Sequence, residues 1–369
     1  MKSKNSDIEF LRCVAILFVL LAHIAQILSP DSFYWKILNY ARFGSGVDLF
    51  FCVSGFIITT SLLKKNMHLM SLSAFSKEAW AFYIKRFWRL IPASLFTISL
   101  VILLTIIFSS HPAILPLKYT LISSAHAITQ TQNIYFNTCR PEGICGELGI
   151  FWSLSLENQF YILLPLFLFT FNHKKLVIIM IIIVLSQFFL DRTLNNFTPP
   201  LWSFRSDAIA LGVLIALFTQ HKNRLKYFPE ILLKKKYICY FTTAILILLL
   251  ALFTKPDAIV SFQTGVVSLI SGLLVYLCSF NKGLFTSNKT FRTICIYLGS
   301  RSYSIYLTHV IALTLTKVAF FDIHTNFSTA ATIKYILTFI AITFILSEIS
   351  YRLVETRFRY IWKKNNNSH

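Results

Sequence analysis

The sequence is short of charge, and of acid above all. Only 14% of its 369 residues are Asp, Glu, Lys or Arg, where a soluble domain carries about 25%. Acidic residues number 15 against 35 Lys and Arg. No hydrophilic stretch is long enough for a soluble catalytic domain. No small-residue cleavage site follows the first apolar run, which argues against a removable signal peptide. No spacing among the seven cysteines suits a zinc centre, so no metal is expected. There is no internal repeat, and no low-complexity segment beyond an Asn-rich tail. What is present instead is apolar sequence: 56% of residues are hydrophobic and 36 are Phe. Apolar runs recur from end to end. The expected fold is all-α, a polytopic membrane helical bundle.

Runs of about 17 to 25 apolar residues suit a membrane-spanning helix. Ten such runs are found, at 8–28, 46–63, 91–109, 148–170, 175–191, 203–219, 238–253, 259–280, 301–320 and 333–353. With the N-terminus inside, most Lys and Arg fall on the cytoplasmic side. Lys64, Lys65, Lys77, Lys85, Arg86 and Arg89 share one loop, and Arg357, Arg359, Lys363 and Lys364 share the tail. That asymmetry sets topology and places both termini in the cytoplasm. It also accounts for the net charge of +20 through anionic inner-leaflet lipid, without any nucleic acid. The expected organisation is a membrane domain over 1–355 and a short basic tail over 356–369. The one sizeable outward feature is the loop from Ser110 to Glu147. It includes a weak apolar stretch, Ile114 to Ile128, read as a helix lying on the surface. It also holds Cys139 and Cys145, a candidate disulfide in an oxidising compartment. The other five cysteines lie in or beside apolar runs as packing residues.

Polar residues inside the spans carry the chemistry, because ionisable groups there are costly. Arg12 and His23 lie on one face of the first span, about 16 Å apart along its axis. Asp48 enters the second span at nearly the depth of His23, its expected partner. Ser54 and Gly55 permit close helix approach. Arg86 and Arg89, at i and i+3, either anchor the inner interface or fork onto the phosphates of an anion. Glu157 lies in the opening of the fourth span, Phe151 to Tyr161, whose polar face is expected to line a cavity. Arg205 and Asp207 are expected to neutralise each other. Tyr303, Tyr306 and His309 share a face. His309 is either a satisfied core histidine or a second catalytic imidazole. Glu348 and Glu355 are expected to pair with inner-face arginines.

Taken together these stretches resemble the acyltransferase-3 family of integral membrane acyltransferases. The resemblance rests on Arg12 and His23 with ten residues between, Gly46 to Phe56, Arg86-Phe87-Trp88-Arg89, Trp152 to Tyr161, Tyr303 to His309, and Tyr351 to Glu355. It departs at Asn158, where a second acid is usual, and at Thr356-Arg357, where a proline is common. The resemblance implies a stand-alone member without an esterase-like C-terminal domain. It gives His23 the catalytic role and associates Arg12, Arg86 and Arg89 with the acyl donor, acetyl-CoA. It implies O-acetylation of a carbohydrate acceptor, such as a lipopolysaccharide O-antigen or another surface polysaccharide, at a bacterial inner membrane. Mechanistically, His23 would deprotonate the acceptor hydroxyl or carry the acyl group itself. Asp48 would orient the imidazole as a triad acid does, and Glu157 would position the acceptor or share protons. The alternative is a proton-coupled transporter or exporter relaying protons through Asp48, Glu157, His23 and His309. The sequence leaves the oligomeric state open.

Overall fold

A computed structural model describes residues 5–192, 203–221, 223–255, 259–286, 288–320 and 329–366. All regular structure among them is helical. In chain order the α-helices are α1 (Ser6–Ile24), α2 (Phe33–Leu38), α3 (Gly46–Leu63), α4 (Leu72–Ile107), α5 (Leu117–Ile128), α6 (Gln132–Cys139), α7 (Phe151–Thr170) and α8 (His173–Phe188). There follow α9 (Asp207–Phe218), α10 (Ile231–Lys234), α11 (Lys236–Leu252), α12 (Gln263–Ser279), α13 (Lys289–Phe320), α14 (Thr329–Ile349) and α15 (Arg357–Asn366). A π-helical stretch, Ser350–Thr356, joins the last two.

Each apolar run of the sequence holds a helix, but the helices differ in reach. Among the described residues, five stretches are long and apolar enough to cross a membrane: Ser6–Ile27, Gly46–Leu69, Leu72–Ile107, Lys289–Phe320 and Ala330–Trp362. Helices α9, α11 and α12 are apolar but shorter. At 1.5 Å per residue they extend roughly 18 to 26 Å, less than a hydrocarbon core of about 30 Å. Large apolar side chains stand exposed along several helices, among them Leu103, Ile106, Ile182, Leu185, Leu248, Leu337 and Ile345. Such surface belongs against lipid rather than water. The chain is a multi-pass membrane protein.

The chain divides into two compact units. The first comprises Met1–Ala22, Lys36–Met70 and Leu163–Ser302. At its centre α9 packs on α3, α8 and α12. Two glycines make the α3–α9 contact close. A Cβ on Gly55 would lie 2.3 Å from the Ile209 carbonyl oxygen, and one on Gly212 would lie 2.2 Å from that of Cys52. The close approach read from Gly55 is therefore met by a second glycine across the interface.

The second unit comprises His23–Trp35, Ser71–Ile162 and Tyr303–His369. Its long member is α4, whose start is capped by Ser71 Oγ accepting from Ala74 N at 3.4 Å. α4 runs unbroken through Pro92, so the basic approach at 76–92 and the third span form one helix. α5 is more deeply packed than a surface helix: Thr120, Ser123, Ser124 and Ala127 are buried, and Thr120 meets Thr105 of α4 at 3.3 Å. The basic tail is helical and packs back on α4, with Phe358 stacked on Trp88 at 6.0 Å. Its last residues, 367–369, lie outside the described residues.

Candidate active site

His23 ends α1 and meets His309 of α13. Their ring centroids are 4.7 Å apart and the rings stand edge to face, at 74°. His309 is fully buried. Its Nδ1 lies 2.6 Å from the Tyr306 carbonyl oxygen. A carbonyl only accepts, so Nδ1 carries the hydrogen and Nε2 of the neutral ring presents its lone pair. That Nε2 is buried with no hydrogen-bond partner. An orphaned buried acceptor is uncommon enough to mark a site. His309 is thus not the satisfied core histidine that was one of its two sequence readings.

A cavity of about 400 Å³ opens at His23. α13 supplies one wall through Val310, Leu313, Thr314 and Lys317, which share a helix face. The loop before α7 supplies Arg140, Gly143, Gly146 and Glu147, and α7 supplies Trp152. Trp152 stacks on Phe136 at 5.7 Å. The disulfide between Cys139 and Cys145 is formed and borders the cavity. The chain turns at Gly143, between the two cysteines, and at Gly146, directly after Cys145, both at positive φ, +70° and +58°, where a side chain is strained.

Glu157 lies on α7, half buried, and accepts a hydrogen bond from Tyr161. Arg86 lies over the Tyr161 ring at 5.3 Å and over Phe82 at 5.5 Å. Arg89 and Glu157 are both within electrostatic reach of the Tyr303 hydroxyl, which bonds Ser94 at 2.8 Å and donates to the Leu90 carbonyl at 2.9 Å. Arg89 Nε is buried without a partner. That nitrogen is a donor an anion could take. The rest of the polar α7 stretch does other work. Asn158 donates to Gln130 at 2.7 Å, and Gln159 bonds the Gln130 carbonyl and Asn133 at 2.8 and 3.0 Å. These bonds tie the α5–α6 turn to α7; the expectation that this whole face lines a cavity holds for Trp152 and not for Asn158 or Gln159.

In the first unit, Asp48 is fully buried and pairs with Arg205 at 2.6 Å rather than with an imidazole. Asp207 in turn takes Arg192 through two bonds, 3.1 and 2.7 Å, and Ser268 at 2.8 Å. The expected Arg205–Asp207 neutralisation is therefore replaced by two crossed pairs. Arg12 bonds Glu9 at 3.3 Å and Ser302 at 2.9 Å. At the other end of the chain Glu348 takes Arg352 at 2.7 Å, and Glu355 takes Arg359 and Ser304, as expected of both acids.

With this geometry in hand, the comparisons with known proteins decide the family. The family model described as an acyltransferase domain matches residues 5–349. The chain belongs to this acyltransferase family. Among the family's relatives, a peptidoglycan O-acetyltransferase OatA of Listeria monocytogenes serovar 1/2a is 30% identical over 96% of this chain and 55% of its own length. An O-acetyltransferase OatA of Staphylococcus aureus (strain NCTC 8325) is 27% identical over 85% of this chain and 52% of its own. The chain thus spans about half the length of the curated relatives it matches. No solved structure matches it.

Sequence reasoning missed the charged cavity wall. Arg140 and Glu147 share the loop before α7, but Lys317 comes from α13, and no local pattern links it to them. The pairing of His23 with His309 was equally invisible, although each imidazole stood out as a polar group in an apolar run.

Proposed function

We propose that this chain is a membrane O-acyltransferase, most simply an O-acetyltransferase, moving an acyl group from cytoplasmic acyl-CoA to a hydroxyl of a surface carbohydrate. The observation that carries this reading is that His23, in contact with His309, lines a cavity walled by Trp152. An aromatic face beside polar groups suits a sugar ring, and a ring nitrogen suits the deprotonation of its hydroxyl.

His23 takes the hydroxyl proton as the oxygen attacks the thioester carbonyl, and the proton then passes to the leaving sulfur. His309, fixed by the Tyr306 carbonyl, holds its free Nε2 toward the same site as a proton acceptor or orienting group. An acyl-histidine relay through His23 is the variant of this scheme. Arg86 and Arg89 hold the donor's phosphates, with Glu157 and Tyr161 setting the position of Arg86. Arg12 lies on the same helix as His23 and serves the donor side. Asp48 supports the scaffold through Arg205 and is not assigned to the imidazole. The carrier reading fares worse, because its proposed relay acid Asp48 is committed to an ion pair.

The acceptor is a glycan outside the cytoplasmic membrane, in the bacterial topology with both termini inside. The name of the Listeria relative favours peptidoglycan over a lipopolysaccharide O-antigen. The test is the acetyl content of isolated peptidoglycan and of surface polysaccharide, with and without the gene. Loss of ester-linked acetate from one of them, restored by the wild-type chain and not by His23→Ala inserted at equal level, supports the proposal. Unchanged acetate in both removes it.

A further inference from the structure

The cavity at His23 carries a charge that acyl transfer to a plain alcohol does not require. Its charged wall residues are Arg140, Glu147 and Lys317. Two of these are accounted for. Glu147 accepts from Thr314 Oγ1 at 2.9 Å and lies within electrostatic reach of Lys317, whose Nζ donates to Gln26 at 3.3 Å. Arg140 differs. Among the described residues no carboxylate pairs with it; its guanidinium lies over the Phe136 ring at 5.6 Å. The residue is exposed, so its cation is open to an anion entering the cavity.

The residue is also held in place. Its neighbour Cys139 is locked in the disulfide. Gly143 N donates to the Arg140 carbonyl at 3.1 Å, and Ile144 N to that of Cys139 at 2.9 Å. Phe136, under the guanidinium, is itself stacked on Trp152. A cationic fork at a cavity wall, resting on an aromatic ring and without a counter-charge among the described residues, is prepared for a planar or tetrahedral oxyanion.

We infer that the acceptor is an acidic carbohydrate, bearing a carboxylate or phosphate that Arg140 receives while the hydroxyl to be acylated faces His23. This rests on the reading of the cavity as the acceptor site. Trp152 then holds the sugar ring, Arg140 selects the charged sugar over its neutral counterpart, and Glu147 disfavours a second anion on the far wall.

Binding to the purified full-length chain, followed by tryptophan fluorescence without any acyl donor, tests it. The probes are chitotetraose, which is neutral, a hyaluronan tetrasaccharide, which carries carboxylates, and chitotetraose 6-phosphate. At least one anionic probe is expected to bind about tenfold more tightly than chitotetraose, as a charge-assisted bidentate contact implies, with the advantage shrinking as salt rises. The tighter of the two names the oxyanion. Arg140→Gln is expected to cut the anionic-to-neutral ratio about tenfold, and Arg140→Lys to keep part of it. Equal binding of all three probes by the wild-type chain overturns the inference, and needs no variant to fold. So does a ratio that Arg140→Gln leaves intact. Anionic preference without acyl transfer in a matched assay sinks the transferase proposal, and with it the acceptor role, and leaves only the anion selectivity that Arg140 gives the cavity.

Discussion

Replacing Asp48 by Asn strands a guanidinium inside the first unit. Asp48 is 0% and Arg205 7% exposed, so neither end of the 2.6 Å pair is relieved by water. Removing one partner of such a buried pair costs about 3 to 5 kcal/mol. Only one Asp48 oxygen is engaged, since Oδ1 has no partner, which places the cost toward the lower end. At about 2 °C per kcal/mol for a unit of this size, the melting temperature in detergent should fall by about 6 to 8 °C. Asp207 has two bonds to Arg192 and one to Ser268, so Asp207→Asn should cost more. Asp48→Asn combined with Arg205→Met removes both charges and should recover most of the loss. Acetyl transfer per folded molecule should change little in either variant. A triad acid behaves differently: its loss leaves the fold intact and lowers kcat about 10⁴-fold. An Asp48→Asn protein that melts like wild type but no longer transfers acetyl groups would refute the scaffold assignment.

Three further outcomes are expected. Gly55→Ala and Gly212→Ala each force a Cβ into a backbone carbonyl at 2.3 and 2.2 Å, where neither helix yields cheaply; each should cost about 3 kcal/mol, read as a lowered melting temperature, and a wild-type value would contradict the interlocked packing. Arg86→Ala with Arg89→Ala should raise KM for acetyl-CoA at least tenfold while kcat changes less, in a transfer assay on membrane vesicles; an unchanged KM would return both arginines to simple anchoring. Cys139 and Cys145 should resist a membrane-impermeant maleimide in intact cells until reduced, and labelling without reduction would contradict an oxidised outward loop.

How much of this was legible in the sequence depends on how local the cause is. Apolar runs are local, so each of the ten could be matched to a helix, and Glu348 and Glu355 pair with arginines one turn away. The third span reads from 91 because the apolar run starts there, yet the helix that carries it, α4, begins at Leu72. Partners of buried charges are not local. Depth alone offered His23 to Asp48, yet Arg205, 157 positions away, takes the carboxylate. The polar α7 stretch announced a special face correctly, but its amides are spent on Gln130 and Asn133, a turn whose return toward α7 no periodicity foretells. His309 carried two readings until its ring nitrogens could be counted.

The central claim is that His23 at the cavity, backed by His309, performs the transfer. Single-turnover transfer of labelled acetyl groups to glycan, by purified wild-type, His23→Ala and His309→Asn chains of equal melting temperature, tests it most directly. The account predicts a loss of at least about 100-fold for each variant, the range expected when a positioned proton acceptor is removed. Wild-type single-turnover rates in His23→Ala would contradict it.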